Sequence, residues 1–402
     1  MRLNDLPPPT LIEDDRGLAA LLERIDGVGE IAVDTEADSF FSYREKVCLI
    51  QVTASEEDFL VDPLARVDLT PLGAVLADPQ TTKVFHDGEY DVLILKRMYG
   101  FEFRNLFDTR VAAATLGSKS PGLASVLRDR FDIQLDKAMQ RSNWGKRPLT
   151  DKQIAYARLD TRFLIPLAAE QRRELEESGR DVIVQGECER LERIEPPDTT
   201  FNPDEFVRLK GARALAPVER QVLRELFTIR EKRAEARNQP PFRVINNDVL
   251  VRIASRRPRN RRDLERIEGF SSKQAARVGD DVLRAVREGE EKGPMKRFPV
   301  LPSKDGTSTL SEESYELHER LKAWRKKRAL AEGIDSGYLL NRRVLLALAA
   351  VRPTSKEELA ETGDILPWQV ERFGDELFEV VRTFEADLKA GRVDLGRRRG
   401  RG

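Results

Sequence analysis

Along the first half of the chain the apolar residues switch between short strand-like runs and helical spacing. Glu30 to Val33, Lys46 to Thr53, Asp58 to Val61 and Lys83 to His86 are short and apolar, and most are rich in β-branched or aromatic residues. Runs of that kind bounded by turn formers predict β-strands. Between and after them, Arg16 to Ile25, Leu72 to Ala77, Glu89 to Met98 and Leu123 to Phe131 space their apolar residues as one face of a helix. The alternation predicts an α/β first unit. Helical spacing dominates after Thr150, and Glu195 to Pro203 (EPPDTTFNP) reads as a domain boundary.

Past that boundary the chain repeats itself at an offset of 95 residues. Leu226, Arg230, Lys232, Arg233 and Ala234 recur as Leu321, Arg325, Lys327, Arg328 and Ala329, and Ala254, Arg257 and Pro258 as Ala349, Arg352 and Pro353. The register persists to Gly279 and Asp280, matched by Gly374 and Asp375. Two copies of one small all-α domain are expected, at 215–290 and 311–390. Each copy is long enough to form its own core, unlike a solenoid repeat that needs its neighbours. A stretch rich in Gly, Pro, Lys and Ser from Gly289 to Thr309 reads as the linker, placed at 291–310, and 391–402 as a basic Arg/Gly tail.

At 402 residues the chain has room for several domains, and its apolar runs are too short for a membrane span. Only two cysteines, Cys48 and Cys188, argue for a reducing, cytoplasmic setting without a disulfide framework or a cysteine-rich zinc site. Two histidines, His86 and His318, leave little material for a histidine-based metal site or a Ser-His-Asp triad. The net charge of −1 conceals an asymmetry: residues 1–200 hold 26 Lys+Arg against 37 Asp+Glu, and residues 201–402 hold 43 against 33. An acidic half followed by a basic half hints at nucleic acid, although two differently solvated surfaces would look the same.

Carboxylates carry the candidate chemistry. Asp34-Thr35-Glu36 follows the apolar run Ile31 to Val33. In an extended strand residues i and i+2 share a face about 6 to 7 Å apart, so both acids point into one space. Two adjacent anions call for a cation, and oxygen ligands without histidine select Mg²⁺ or Mn²⁺. The competing reading is a solvated strand end. Tyr156 and Asp160 lie four apart in a predicted helix from Asp151 to Phe163, hence on one face, where Asp160 can bind metal and Tyr156 can orient a water. Asp91 opens an apolar helix, a position the helix dipole favours for any acid. His86 can touch a phosphate or serve as a core histidine, and Trp144 is expected to pack beneath the Tyr156 helix. Asp108 can support the site from behind its ligands, but reads first as the cap of the next helix. Arg230, Lys232, Arg233 and Arg237 lie on a charged helix that offers phosphate contacts or a merely solvated face.

Together, in order and spacing, Asp34, Glu36, Asp91, Tyr156 and Asp160 resemble the DEDD exonucleases of the tyrosine subclass. Leu49-Ile-Gln51, Lys83-Val-Phe-His86, Phe107-Asp-Thr109 and Trp144-Gly-Lys-Arg-Pro-Leu149 extend the likeness to the ribonuclease D family over about residues 15 to 195. Pro240-Pro-Phe-Arg-Val244, Arg257-Pro258, Gly269 and Gly279-Asp280 resemble an HRDC domain. The resemblance implies an RNaseH-like mixed sheet with flanking helices over residues 1–195, followed by two HRDC-like domains. It implies two divalent cations held by Asp34, Glu36, Asp91 and Asp160, a water aligned by Tyr156, and 3′→5′ trimming of RNA to nucleoside 5′-monophosphates. Expected partners are RNA 3′ ends, tRNA precursors among them, met by His86, Arg230, Lys232, Arg233 and Arg243; no membrane is expected, and a monomer is favoured. A DNA 3′→5′ exonuclease and a non-catalytic RNA-binding scaffold are the rival readings. The second copy has Gly337-Tyr338-Leu339 where the first has Phe242-Arg243-Val244, and Asp364 where the first has Gly269, so the first is expected to contribute more to RNA binding.

Overall fold

The computed structural model describes residues 6–302, 310–363 and 365–395. Asp364, most of the linker's second half and the Arg/Gly tail from 396 onward lie outside the described residues. The first unit is built on a six-stranded sheet in the order β1-β4-β3-β2-β5-β6. Its strands are β1 (Thr10–Asp14), β2 (Glu30–Ala37), β3 (Val47–Ala54), β4 (Glu57–Arg66), β5 (Thr82–Phe85) and β6 (Leu106–Asp108). The sheet is mixed: β2–β3 and β3–β4 are antiparallel, whereas β1–β4, β2–β5 and β5–β6 are parallel. The strand with the acidic pair, β2, therefore lies inside the sheet. Its neighbour β5 pairs with it up to Ala32, and β3 pairs with it through Asp34 and Glu36.

Helices α1 (Asp15–Ile25), α2 (Thr70–Ala77), α3 (Glu89–Tyr99) and α5 (Leu123–Phe131) follow the predicted periodicity, and α4 (Thr109–Thr115), α6 (Asp151–Arg162), α7 (Leu164–Ser178) and α8 (Asp181–Arg193) complete the unit. Their apolar stripes bury Leu18, Leu21, Leu72, Ile94 and Leu95 in one core with Ile31, Val33 and Val84 of the sheet. Helix α6 starts with a capping box, Thr150 accepting from the Gln153 N–H while the Gln153 side chain returns to Thr150. It is anchored to the sheet by polar contacts: Arg158 donates to Asp58 on β4, both buried, and the Thr161 and Thr53 hydroxyls meet at 2.7 Å. The loop before it is pinned by Arg147, which donates to Asp62 and to the Cys48 carbonyl.

The second half repeats in space as it does in sequence. Five helices, α9 (Pro217–Ala236), α10 (Pro241–Val244), α11 (Asn247–Arg256), α12 (Arg261–Glu265) and α13 (Ser272–Glu291), recur as α14 (Glu312–Glu332), α15 (Ser336–Leu339), α16 (Arg342–Val351), α17 (Lys356–Ala360) and α18 (Pro367–Lys389). Each starts 95 residues after its counterpart. Arg257 and Arg352 both take left-handed backbone just before a proline, which ends α11 and α16. Each copy has its own core, around Leu226, Leu250 and Val282 in the first and Leu321, Leu345 and Leu377 in the second. Phe206, Ala212 and Leu215 already belong to the first of these cores.

Two readings of the repeat need correction. Gly289, taken as the start of the linker, lies inside α13, where a Cβ would come within 2.6 Å of the Val222 backbone; the residue is glycine because α9 and α13 touch there. The turn glycine at φ +85° in the first copy, Gly269, has its counterpart in Gly363 at φ +61°, one residue before Asp364. The second copy therefore keeps the left-handed glycine that the strict 95-residue register had placed at Asp364.

Both helical domains rest on the nuclease. Arg243 of α10 lies over the Phe41 ring at 4.5 Å, and Tyr43 donates to Glu231 on α9 at 2.7 Å, so the first domain holds the β2–β3 loop. The second sits against α4 and α8. Arg180 donates to the Thr115 carbonyl of α4 and to the Glu332 carbonyl of α14 at 2.8 and 2.6 Å. Leu366 fills the space left by Gly186 on α8.

Asp58→Ala, which leaves the Arg158 guanidinium buried without its anion, should lower the unfolding free energy by about 3 to 5 kcal/mol in urea titrations. Replacing Asp58 and Arg158 together with Leu and Met should recover most of that loss. A single variant with the wild-type midpoint would show that the ion pair does not hold α6.

Candidate active site

Strand β2 delivers Asp34 and Glu36 to one face and α6 delivers Tyr156 and Asp160 to the same space. Ligand oxygens of Asp34, Glu36 and Asp160 all lie within 4.8 Å of one another. Asp91, from the first turn of α3, lines the same cleft of about 360 Å³ with Tyr156 and His86. Its carboxylate lies outside that group of three and accepts a hydrogen bond from the Thr35 hydroxyl, on the strand between the two acids. Trp144 is buried beneath α6, its ring 6.0 Å from that of Tyr156.

Burial and crowding push every one of these acids toward the protonated form. Desolvation is the largest cause for each. It raises Asp34 well above the usual carboxylate range, with Asp91, Asp160 and Glu36 adding their charge. Glu36 is pushed up to about 9, with Asp160 and Asp91 as the charged contributors. Asp160 rises to about 7 and Asp91 to about 6; hydrogen bonds from Tyr156 and Thr35 respectively offset part of the cost. The Tyr156 phenol moves upward too, through burial and the same carboxylates. It hydrogen-bonds to Asp160 and remains a donor at neutral pH.

The cap residue Asp108 does more than close one helix. Buried at the end of β6, it accepts from the Arg110 and Val111 N–H groups at the start of α4 and from the Asp87 and Gly88 N–H groups just before α3. One carboxylate thus ties the element carrying Asp91 to the element carrying Arg110, which also lines the cleft. Thr35 and Arg110 are site residues that the sequence reading passed over. Nothing local marks them, since their partners lie 56 and 228 residues away.

Residues 9–176 match the 3′-5′ exonuclease family, and residues 219–286 and 315–381 each match the HRDC domain family. Ribonuclease D of Sphingobium indicum is 31% identical over 398 residues, covering 96% of this chain and 98% of that protein. The chain belongs to the ribonuclease D family. The catalytic core of RRP6 from Trypanosoma brucei is similar at TM-score 0.66 and 26% identity, covering 73% of this chain and 82% of that one. Escherichia coli RNase D, an exoribonuclease involved in structured RNA processing, shares the fold at TM-score 0.64 and 24% identity, over 94% of this chain and 99% of that one. As a member of the ribonuclease D family the chain is a hydrolytic 3′→5′ exoribonuclease, of a class that depends on divalent metal.

The residues expected to meet RNA separate in space. Arg230 leaves the set: it is buried, over the Phe227 ring, and donates to the Ile245 carbonyl and to Asn247. Arg325, its repeat partner, donates to the Leu340 carbonyl in the same way, so this recurring arginine of the ribonuclease D tail is a structural clasp. Lys232 is exposed, Arg233 pairs with Asp281, and Arg243 lies over Phe41. His86 lines the cleft with its Nδ1 beside the Thr109 hydroxyl at 2.9 Å. Burial lowers it to about 4, so it is neutral at physiological pH and supplies no charge to a phosphate.

The raised acids make the metal-free protein sensitive to base. A carboxylate with a raised folded pKa keeps its proton when its unfolded counterpart has lost it, so folding stability falls as pH rises between the two values. For Glu36 at about 9 and Asp160 at about 7, that window opens near the ordinary carboxylate range of about 4. In chelator, the melting temperature should drop by at least about 3 °C from about pH 5 to about pH 9. Mg²⁺ or Mn²⁺ should reverse the drop, and raise the melting point more at the higher pH. A flat, metal-insensitive profile would mean the three acids are not crowded in solution.

Proposed function

We propose that Asp34, Glu36, Asp91 and Asp160 hold two divalent ions, Mg²⁺ or Mn²⁺, with which the chain trims the 3′ ends of structured RNAs, tRNA precursors among them, to nucleoside 5′-monophosphates. The observation that carries this reading is the gathering of three acidic ligands within 4.8 Å in a cleft that Asp91 also lines. An all-oxygen donor set suits hard cations, and half-buried carboxylates so close ionise together only with positive charge among them. When bound, such ions would lower the pKa of the attacking water and stabilise the departing 3′ oxygen.

The chain's own residues supply placement. Tyr156, protonated and braced by Trp144 behind it, orients the water as a hydrogen-bonding group and not as a base. Thr35 holds the Asp91 carboxylate in place by a hydrogen bond to its Oδ1. The basic second half supplies long-range attraction for a polyanion that the acidic first half repels, with Lys232, Arg233 and Arg243 as contributors. Structured RNA as substrate is supported by the role of the E. coli relative. A cytoplasmic setting is supported by two free, buried cysteines. No helix among the described residues is long and apolar enough to cross a membrane.

Purified protein given matched RNA and DNA oligonucleotides and a tRNA precursor should release 5′-mononucleotides from RNA with Mg²⁺ or Mn²⁺ and none with chelator. Asp34→Asn should abolish release while raising the melting temperature of the metal-free protein at alkaline pH, because one of the mutually repelling acids is gone. Metal-independent release, or full activity in Asp34→Asn, would refute the ligand assignment.

Tyr156→Phe keeps the ring against Trp144 and deletes the hydroxyl. It should lower kcat by about 100-fold and leave KM nearly unchanged in steady-state assays. A wild-type kcat would reduce Tyr156 to a packing residue.

A further inference from the structure

The cleft is lined by six carboxylates, those of Asp34, Glu36, Asp87, Asp91, Asp136 and Asp160. Among the described lining residues a single side chain carries fixed positive charge, Arg110 at the start of α4. Metal ions can answer the acids at the centre, but the RNA backbone brings further phosphates to a wall that would otherwise be acidic or neutral. His86, lowered to about 4 by burial, adds no positive charge there.

Arg110 is held from two sides. Its Nε lies 3.4 Å from Asp87, and its Nη1 donates to the Tyr338 hydroxyl at 3.2 Å. Tyr338 belongs to α15 of the second helical domain, 228 residues away in sequence, and its ring packs partly buried against the nuclease core. These contacts use Nε and Nη1, and the side chain stays about 36% exposed where it lines the cleft. Restraint matters at this place, since an arginine loses substantial rotamer freedom on binding and a loose one would fold onto the acidic cluster and compete with cations.

We propose that Arg110 binds a backbone phosphate of the RNA in the cleft, and that Tyr338 of the second HRDC domain is the positioning residue that holds it ready. The repeat supports this. Tyr338 occupies the position of Arg243 in the first copy, 95 residues earlier, and that arginine also reaches the nuclease, over Phe41. The change from arginine to tyrosine, which reads in sequence as loss of an RNA contact, is here a change of docking partner. The second domain is clamped close enough to transmit such an effect: Arg180 bridges α4 and α14, and a Cβ on Gly186 would come within 2.1 Å of Leu366.

The proposal rests on the cleft being the site of RNA cleavage, which the wild-type protein tests first. If full-length wild type releases no nucleotides from RNA with Mg²⁺ or Mn²⁺, the cleft assignment fails and takes this inference with it. Given an active wild type, Arg110→Gln should raise KM for RNA oligonucleotides by about tenfold or more, leave kcat within about twofold, and flatten the salt dependence of KM. Arg110→Lys, which keeps the charge without the fork, should recover part of the KM. Tyr338→Phe, which keeps the docked ring, should raise KM by about three- to tenfold and add nothing in the Arg110→Gln background. A wild-type KM and salt slope in Arg110→Gln would overturn the phosphate contact. A Tyr338→Phe effect that falls on kcat, is absent, or adds in full to that of Arg110→Gln would overturn the positioning role.

Discussion

Mutual repulsion among Asp34, Glu36, Asp91 and Asp160 is the constraint that the nuclease half is built to oppose. In a partly desolvated cleft two like charges a few ångströms apart repel by several kcal/mol, and flexible acids would turn outward to water. The chain denies them that freedom through backbone it has already ordered. Strand β2 is paired with β5 up to Ala32 and with β3 through Asp34 and Glu36, so the two acids cannot separate without breaking the β2–β3 ladder. Helix α6 is bolted down by the buried Asp58–Arg158 pair and the Thr53–Thr161 contact, and α3 is tied to α4 by Asp108. Protonation of the crowded acids and their appetite for cations are two faces of this enforced closeness.

The helical domains belong to the same construction. The first grips the loop that leaves β2, through Tyr43 and Phe41; the second presses on α4 and α8 and reaches the cleft wall through Tyr338. A catalytic half that carries excess negative charge thus has helical modules fastened on two sides, the first of them basic. Their contacts fall on the elements that present Glu36 and Arg110, so substrate capture and site geometry share a framework.

Much of this was legible in the sequence because it repeats or has a period. Helices α1, α2, α3, α5 and α6, the central strands and the 95-residue register show in residue spacing alone. Strand β1 was missed because its exposed flanks leave one buried residue, Ile12, and β6 because three residues carry no period. Recurrence also misled: Arg230 and Arg325 recur because each closes its own domain with a bond to a backbone carbonyl, a need as repetitive as RNA binding. Gly289 looked like linker because composition cannot tell a flexible glycine from one at a helix crossing. The links Thr35–Asp91 and Arg110–Tyr338 were out of reach, since nothing in a single chain says which distant residues will meet.

The shared position of Arg243 and Tyr338 has a consequence for how the chain can be arranged. Two modules with one architecture offer the same short helix to two unlike surfaces, an aromatic ring at Phe41 and a guanidinium at Arg110. Each matches its own surface, and the exchange is mismatched. With the modules traded, Arg243 would face Arg110, cation against cation, and Tyr338 would meet Phe41 without a charge to offer. Repulsion at one berth thus helps decide which module sits where. Duplication supplied two interchangeable bodies, and a single side chain on each gave them addresses.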